Sequence, residues 1–217
     1  MPKYGCLLKY YAPYQKKLFP CRLALLNKSV NHILEIVQSV PALTDKRQIE
    51  IQEANAAKWY WRAIRLIARR EDAWKRTYPH AGDNFNRALN IGYSLLGQKI
   101  LKIINSRNLD PSIGLLHTPR QGKYALAYDL MELFRQPCVD KTILPLFTRG
   151  RSDNNISPKS VIGKIAKRWD RKIRYRGQWW KWEAVVETQV CGYLRMIRGT
   201  GNWEIYTHDW SHRTYLS

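Results

Sequence analysis

The 217-residue chain carries 37 Lys and Arg residues against 17 Asp and Glu residues, which gives it a formal net charge of +20. This charge is far larger than solubility requires, so we expect a polyanionic partner, with nucleic acid as the first candidate and a membrane surface as the competing one. No apolar run reaches the roughly 18 residues of a membrane-spanning helix and the N-terminus lacks the apolar core of a signal peptide, which argues against a membrane-spanning or secreted protein and for a cytoplasmic one.

The cysteines indicate neither a metal site nor a disulfide framework. Cys6, Cys21, Cys138 and Cys191 are widely separated, and no two of them form the Cys-x-x-Cys pair of zinc sites. We therefore expect buried thiols in a chain that is long enough to form one domain with a sizeable core.

Helical periodicity dominates the chain. Segments whose apolar residues recur with the 3.6-residue period are long, and alternating strand patterns are scarce, so a mainly α fold is predicted. In chain order, the predicted helices cover about residues 20–38, 45–70, 84–106, 125–135, 137–149, 158–174 and 181–198. Thr44 or Asp45 caps the second helix, Ser157 and Pro158 begin the sixth, and Gly199 ends the last.

Three acidic residues lie on faces that the helical pattern predicts to be buried. Glu53 falls in the middle of the apolar face of the helix over 45–70, and Asp129 and Glu132 border the leucine-rich face of the helix over 125–135. An ionised carboxylate held away from water costs several kcal/mol unless it is paired, neutralised or bound to a cation. Pairing with some of the many Arg and Lys side chains is one explanation.

A divalent-metal site is the alternative explanation for these acids. Glu53, His117 and Glu132 are the candidate ligands. Asp129 is either a further ligand or a residue that contacts the ligands without touching the metal. Two carboxylates and one imidazole suit Mg²⁺ or Mn²⁺ and leave positions for water and a phosphate oxygen. A single His beside a leucine-rich segment is also commonly a hydrogen-bonded core residue, so the pattern alone leaves both interpretations open.

Basic residues concentrate in one run towards the C-terminus. The run consists of Lys159, Lys164, Lys167, Arg168, Arg171, Lys172, Arg174 and Arg176. Trp and Tyr residues interleave with it, which is typical of a surface that binds the DNA backbone, although solvated helix faces show the same composition. Further candidate phosphate contacts are Arg62, Arg65, Arg120 and Lys123.

Five stretches of the sequence resemble, in order and spacing, the successive motifs of a known enzyme family. They are EANAAKWYWRAI at 53–64, NRALNIGYSLLGQKIL at 86–101, GLLH at 114–117, LAYDLMELFR at 126–135 and VDKTILPLFTRG at 139–150. The family is the CRISPR-associated integrase, a metal-dependent DNA endonuclease that inserts new spacers and is the first-numbered protein of CRISPR adaptation. The basic, Gln-containing last helix and the closing turn are also similar to this family.

The resemblance implies a chemistry, a set of site residues and partners. Glu53, His117 and Glu132 match the family's ligands for Mg²⁺ or Mn²⁺, and Asp129 matches an acid common in the same helix. The implied reaction is a transesterification in which the 3′-hydroxyl of a DNA fragment attacks a phosphodiester at the end of a CRISPR repeat. The implied partners are double-stranded prespacer and repeat DNA, and further copies of the chain in a homodimer or homotetramer.

The start of the chain differs from the family pattern. Family members usually begin with a β-rich domain that builds the dimer and contacts a small partner, the second-numbered protein of CRISPR adaptation. Here only an extension over residues 1–19 precedes the first predicted helix. We therefore expect this β-rich domain to be absent or vestigial, residues 20–217 to form a single helical catalytic domain, and the chain to be a compact form rather than a fragment. A compact form weakens the expectation of the small partner.

Two other functions remain open at this level. A structure-specific endonuclease acting on branched DNA would use the same ligands with water as the nucleophile. A non-catalytic, basic DNA-binding protein would need only the fold and the charge, and the intact ligand positions argue against it. The sequence does not separate the endonuclease from the integrase, because only the geometry of the substrate differs.

Overall fold

A computed structural model of the chain describes residues 20–114, 124–148 and 156–206. Within these ranges the fold is mainly α, as predicted, with a two-stranded sheet. The elements in chain order are α1 Pro20–Ser39, a 3-10 turn Val40–Ala42, α2 Lys46–Ile67, α3 Asn84–Ser106, α4 Ala125–Phe134, a π-helical turn Arg135–Asp140, α5 Lys141–Thr148, α6 Pro158–Trp169, β1 Lys172–Tyr175, β2 Gln178–Lys181 and α7 Trp182–Ile197. None of the helices in the described ranges is both long enough and apolar enough to cross a membrane.

The described residues form two compact units, and the first comprises residues 20–80 and 144–148. Its main packing is between α1 and α2. Ile33 of α1 is fully buried, and the ring of His32 stacks on Trp59 of α2 with 4.2 Å between the ring centroids. This contact joins α1 to α2.

The second unit comprises residues 81–114, 124–143 and 156–206, with α3 as its central helix. The helix α3 packs against α4, the π-helical turn, α6 and α7. Gly92 allows a close approach to the π-helical turn, because a Cβ atom there would lie 2.5 Å from Cγ1 of Val139. The π-helical turn therefore packs directly against the central helix, and Cys138 in this turn is buried.

The prediction of one helix over 158–174 is wrong at its end. The helix α6 stops at Trp169, and Lys172–Tyr175 forms β1, which pairs with the antiparallel β2. The turn between the strands consists of Arg176 and Gly177, with φ angles of 50° and 76°. Two consecutive residues with positive φ form the turn whose twist matches that of a hairpin. The β-branched and aromatic residues on both sides of this turn favour strands over the predicted helix.

The helices predicted over 125–135 and 137–149 are joined without a break. The helix α4 passes into the π-helical turn, and α5 follows directly. Pro137 lies inside the π-helical turn, where it has no N–H to donate and its ring crowds the preceding turn. A wider turn accommodates this proline and keeps the chain helical.

Candidate functional site

Helix α4 carries two acidic residues beside an apolar face. Leu126, Leu130 and Phe134 are buried and hold the helix against the core of the second unit. Asp129 is only 9% exposed, and the side chain of Glu132 is 17% exposed. The prediction that both acids border the buried face of this helix is confirmed, and their burial calls for a charge partner.

Asp129 lies against the chain segment that leads into the GLLH motif. A Cβ atom added to Gly114, the first residue of that motif, would lie 2.6 Å from Oδ2 of Asp129 and 2.9 Å from the backbone of Ala125, so glycine fits here without a shift. Burial, and to a smaller degree the negative charge of Asp129, raise the pKa of the Tyr193 hydroxyl on α7. The Asp129 carboxylate therefore lies close to the first residue of the motif, and its charge affects Tyr193 on the last helix.

Glu132 is connected to the core through a chain of side chains. Its carboxylate forms an ion pair with Arg135 in the next turn, and the Arg135 guanidinium lies over the ring of Tyr93 at 5.1 Å. The Tyr93 hydroxyl donates a hydrogen bond to Asp140, which is 3% exposed. Because the Arg135 guanidinium also packs over an aromatic ring of the central helix, the orientation of Glu132 is restricted.

Pairing with Arg or Lys was one of the two explanations for the buried acids, but no individual partner of Glu132 was predicted. The spacing of Glu132 and Arg135 by three residues on a helix is the signal that identifies the pair. Tyr93 and Asp140 are far apart in the sequence, and no local pattern connects them. Their contact comes from the packing of α3 on the π-helical turn.

Arg168 is buried, so it does not belong to the predicted DNA-binding surface, and this corrects the sequence prediction. It is 6% exposed, its Nε donates a hydrogen bond to the carbonyl of Pro137 at 3.0 Å, and its guanidinium lies over Trp182 at 5.4 Å. Burial, assisted by the positive charge of Arg168, lowers the pKa of the neighbouring Lys141 to about 7. Arg168 therefore fixes α6 to the π-helical turn and is shielded from any phosphate.

Glu53 lies on α2 in the first unit and is half-buried. Ala56, Tyr60 and Ile64 follow it on the same face of the helix and are buried. The predicted position of Glu53 on the apolar face of this helix is therefore confirmed. At this position the carboxylate has only partial access to water.

Arg62 and Arg65 follow Glu53 on α2 and already have partners within the first unit. The guanidinium of Arg62 lies over Trp59 at 5.1 Å, and Nη2 of Arg65 forms an ion pair with Asp72 at 3.1 Å. Both arginines are half-buried. Their predicted role as phosphate contacts stays a prediction, and these contacts fix the direction of both side chains.

The basic run from α6 to the hairpin is otherwise exposed. Its exposed members are Lys159, Lys164, Lys167, Arg171, Lys172, Arg174 and Arg176. Arg176 forms an ion pair with Glu204, and its guanidinium lies over Tyr175 at 5.3 Å. The helix α6 and the hairpin thus present a positively charged surface on the second unit.

The donor chemistry of the expected ligands fits a hard divalent cation. Glu53 and Glu132 would supply carboxylate oxygens, the donors that Mg²⁺ and Mn²⁺ prefer. His117, the imidazole of the expected set, lies outside the described residues, as do Arg120 and Lys123. Within residues 20–114, 124–148 and 156–206, no three His, Cys, Asp or Glu side chains are grouped so as to hold a metal ion.

The chain is similar in sequence to CRISPR-associated proteins and similar in fold to several solved structures. It is 34% identical over 138 residues to the CRISPR-associated endonuclease Cas1 1 of Saccharolobus solfataricus, an alignment that covers 62% of this chain and 39% of that protein. A solved casposase bound to integration product has a TM-score of 0.66 at 23% identity, over 98% of this chain and 66% of that one. A Cas6-RT-Cas1–Cas2 complex has a TM-score of 0.71 at 16% identity, over 94% of this chain and 24% of that one.

The family model that matches the sequence is described as CRISPR associated protein Cas1, and it covers residues 4–162. The matched range includes Glu53, His117 and Glu132, as well as Asp129. The solved structures support the same mainly α fold. Since the match extends over most of its length, the chain belongs to the Cas1 family of CRISPR-associated proteins.

Proposed function

We propose that this chain is a metal-dependent DNA integrase of CRISPR adaptation, which joins short DNA fragments to the ends of CRISPR repeats. The observation that carries the proposal is the pair of acids on α4, Asp129 and Glu132, kept on a largely buried helix of a Cas1-family chain. Burying acids is costly, and sites of catalysis are where such arrangements concentrate. The match to the Saccharolobus solfataricus relative spans 39% of the length of that protein. The activity of a full-length family member is therefore proposed for this chain.

The proposed roles of the acids follow the family resemblance. Glu53, His117 and Glu132 would hold Mg²⁺ or Mn²⁺, with Asp129 as a further acid. The bound ion would polarise the attacked phosphate and stabilise the charge that develops on its oxygens. Arg135 pairs with Glu132 and so keeps this carboxylate in a fixed orientation.

In the proposed reaction, the 3′-hydroxyl oxygen of the incoming fragment forms a bond to a phosphorus atom at the repeat end. The bond from that phosphorus to the 3′ oxygen of the neighbouring nucleotide breaks, and the repeat strand keeps the phosphorus on its 5′ oxygen. The attacking hydroxyl loses one proton and the leaving 3′ oxygen gains one, so a new 3′-hydroxyl is released. One phosphodiester therefore replaces another, and no energy-rich cofactor is consumed. The exposed cations of α6 and the hairpin would bind the DNA backbone and position it, since phosphate contacts set register and orientation.

We also propose that the chain acts as a homodimer or homotetramer on double-stranded DNA, because joining at both ends of a repeat requires two active sites. A small second protein of CRISPR adaptation is a further proposed partner. Its support is that one solved structure similar in fold to this chain is a Cas6-RT-Cas1–Cas2 complex.

A structure-specific endonuclease is the second candidate. Its support is the name of the Saccharolobus solfataricus relative, which is a CRISPR-associated endonuclease. The same acids would then serve hydrolysis, with water in place of the 3′-hydroxyl. Only the nucleophile and the substrate geometry separate this reaction from integration.

The deciding experiment incubates the purified chain with short duplexes bearing 3′-hydroxyl ends, a supercoiled plasmid carrying CRISPR repeats, and Mn²⁺ or Mg²⁺, with and without a small partner protein. Covalent joining at repeat ends that disappears with Glu53→Ala is the expected result. Metal-dependent nicking, with no joining in the presence or absence of the partner protein, would favour the endonuclease. No metal-dependent reaction in either mixture would overturn both candidates.

A further inference from the structure

The outer face of the β1–β2 hairpin gathers cations around one tryptophan. In the strand register Lys172 pairs with Lys181, and Arg174 pairs with Trp179. Residues directly opposite each other share a face of the hairpin, as do residues two apart on one strand. These four side chains therefore lie on one face, and all of them are exposed, Trp179 by 55%. We call this set the outer hairpin face.

The hairpin sequence is entirely without acidic residues. The stretch RKIRYRGQWWK at 171–181 contains Lys and Arg at several positions and no Asp or Glu. In a chain with a net charge of +20, this segment contributes a local positive potential that attracts a polyanion. The positive charge indicates a polyanionic partner. The exposed tryptophan indicates which part of that partner contacts this face.

The opposite face anchors the hairpin on an aromatic cluster. Ile173 is fully buried, and the ring of Tyr175 packs edge-on against Tyr206 at 5.7 Å. Tyr206 in turn stacks on Phe134 at 5.2 Å, and Nε2 of Gln189 donates a hydrogen bond to the Tyr175 hydroxyl at 3.3 Å. Because its inner face is fixed to the core, the hairpin presents its outer face on a rigid support, as a binding surface requires.

We propose that the outer hairpin face binds single-stranded DNA, with Trp179 stacking on an unpaired base and the cations contacting the flanking phosphates. In a duplex interior both faces of each base are covered by its neighbours, whereas an unpaired strand offers bases whose faces an indole can cover. Phosphate binding alone requires only cations. The large exposed indole directly opposite Arg174 is the feature that phosphate binding leaves unexplained.

The inference rests on the proposed function in one respect, namely that DNA is the partner. It adds a place for the unpaired part of that DNA, such as a strand end that has left its duplex. No metal chemistry takes part in this contact, so it is tested by binding alone.

The test measures fluorescence anisotropy of a labelled oligo-dT strand and of a labelled blunt duplex with the full chain in EDTA. We expect Trp179→Ala to weaken binding of the single strand by about 5- to 150-fold, the range for loss of one stacked base, and binding of the duplex by less than about twofold. Trp179→Phe should retain most of the affinity. Tyr78→Ala, which removes an aromatic side chain that is 75% exposed elsewhere, should change neither affinity.

A second variant tests the cations independently of Trp179. Lys172→Gln combined with Lys181→Gln should weaken binding of the single strand and make the slope of log affinity against log salt less negative by about 1.4. An effect of Trp179→Ala below twofold, or an equal effect on single strand and duplex, would overturn the inference.

The outcome is separable from that of the proposed function. If the wild-type chain joins DNA and Trp179→Ala does not discriminate between the two ligands, only this inference fails. If Trp179→Ala selectively weakens single-strand binding and no joining or nicking occurs, the outer hairpin face stands and the proposed function fails.

Discussion

At the scale of single residues, the proposed division of labour is that Glu53 and Glu132 serve the chemistry and exposed cations serve DNA binding. We expect Glu53→Ala and Glu132→Ala to abolish strand transfer and to change DNA affinity only a few-fold, because a lost metal ligand removes stabilisation of the transition state. Joining assays and anisotropy on the same preparations measure the two effects. The matched control is Glu50→Ala, since Glu50 is an exposed acid of the same helix, α2, and forms an ion pair with Lys46. A loss of affinity of about tenfold or more in either ligand variant would contradict this division.

Lys141 should make the free energy of unfolding depend on pH. Burial and the charge of Arg168 lower the pKa of Lys141 from 10.5 to about 7, so between these values the unfolded chain binds a proton that the folded chain lacks. The free energy of unfolding therefore rises with pH across this window and is unaffected by Lys141 below it. We expect a rise of about 1 to 2 kcal/mol between about pH 7 and pH 8.5.

Urea unfolding of the wild type and of Lys141→Met across this range measures the effect. The variant should lack this part of the rise, because methionine has no proton to release. Higher pH is avoided because burial raises the pKa of the Cys138 thiol to about 12, and that group acts in the opposite direction above its ordinary value of 9.0. Parallel stability profiles for the two proteins would disprove the assignment to Lys141.

At the scale of elements, two helix glycines should respond to the same substitution with opposite signs. A Cβ atom on Gly192 of α7 would lie 2.7 Å from Cδ1 of Trp203, whereas a Cβ atom on Gly163 of α6 would meet nothing within 4 Å. We expect Gly192→Ala to lower the free energy of unfolding by about 1 to 3 kcal/mol, because the indole must shift. Gly163→Ala should raise it by about 0.4 to 1 kcal/mol, because alanine favours the helix and loses less entropy on folding. Denaturant midpoints measure both changes, and a destabilised Gly163→Ala would contradict this reading of the two sites.

The sequence predicted the helices well because long apolar stripes dominate their energetics. The helix α1 ends within one residue of the predicted range, and α2 begins after Asp45, whose side chain accepts a hydrogen bond from the backbone N–H of Arg47. The hairpin escaped prediction although its turn signal, Gly177 after Arg176, was present. The abundance of basic residues there resembled a helix surface more than a strand.

The candidate site was predictable only where its determinants are local. The positions of Asp129 and Glu132 follow from helical periodicity, and the pair of Glu132 with Arg135 follows from helical spacing. The burial of Arg168 depends on Pro137 and Trp182, which belong to other elements, so no pattern around Arg168 could reveal it. Burial of this kind depends on packing between elements that are distant in the sequence, and helical periodicity does not predict it.

At the scale of the whole molecule, the net charge of +20 sets how DNA binding depends on salt. If six to eight phosphates are engaged, log affinity for duplex DNA should fall against log salt with a slope of about −5 to −7. Lys164→Gln combined with Lys167→Gln, both exposed on α6, should make this slope less negative by about 2. Anisotropy titrations over a salt series measure the slope, and an unchanged slope in the variant would remove α6 from the DNA-binding surface.

Assembly on DNA is the second property of the whole molecule that can be tested. We expect self-association, because the proposed reaction joins DNA at both ends of a repeat and each joining needs its own active site. Light scattering coupled to size exclusion, with the chain alone and with a duplex, measures the mass of the complex. A single copy on DNA at concentrations that support joining would refute the proposed assembly.

The β1–β2 hairpin also has a consequence for the order in which the chain folds. Its strands are joined by only two residues, so closing it costs little loop entropy, and hairpins of this kind form in about 1 to 10 μs. Ile173, Tyr175 and Trp180 would then meet on one face before the distant segments arrive. We expect this early apolar face to serve as the template on which α7 and Tyr206 dock, which makes the hairpin a candidate folding nucleus with high φ-values.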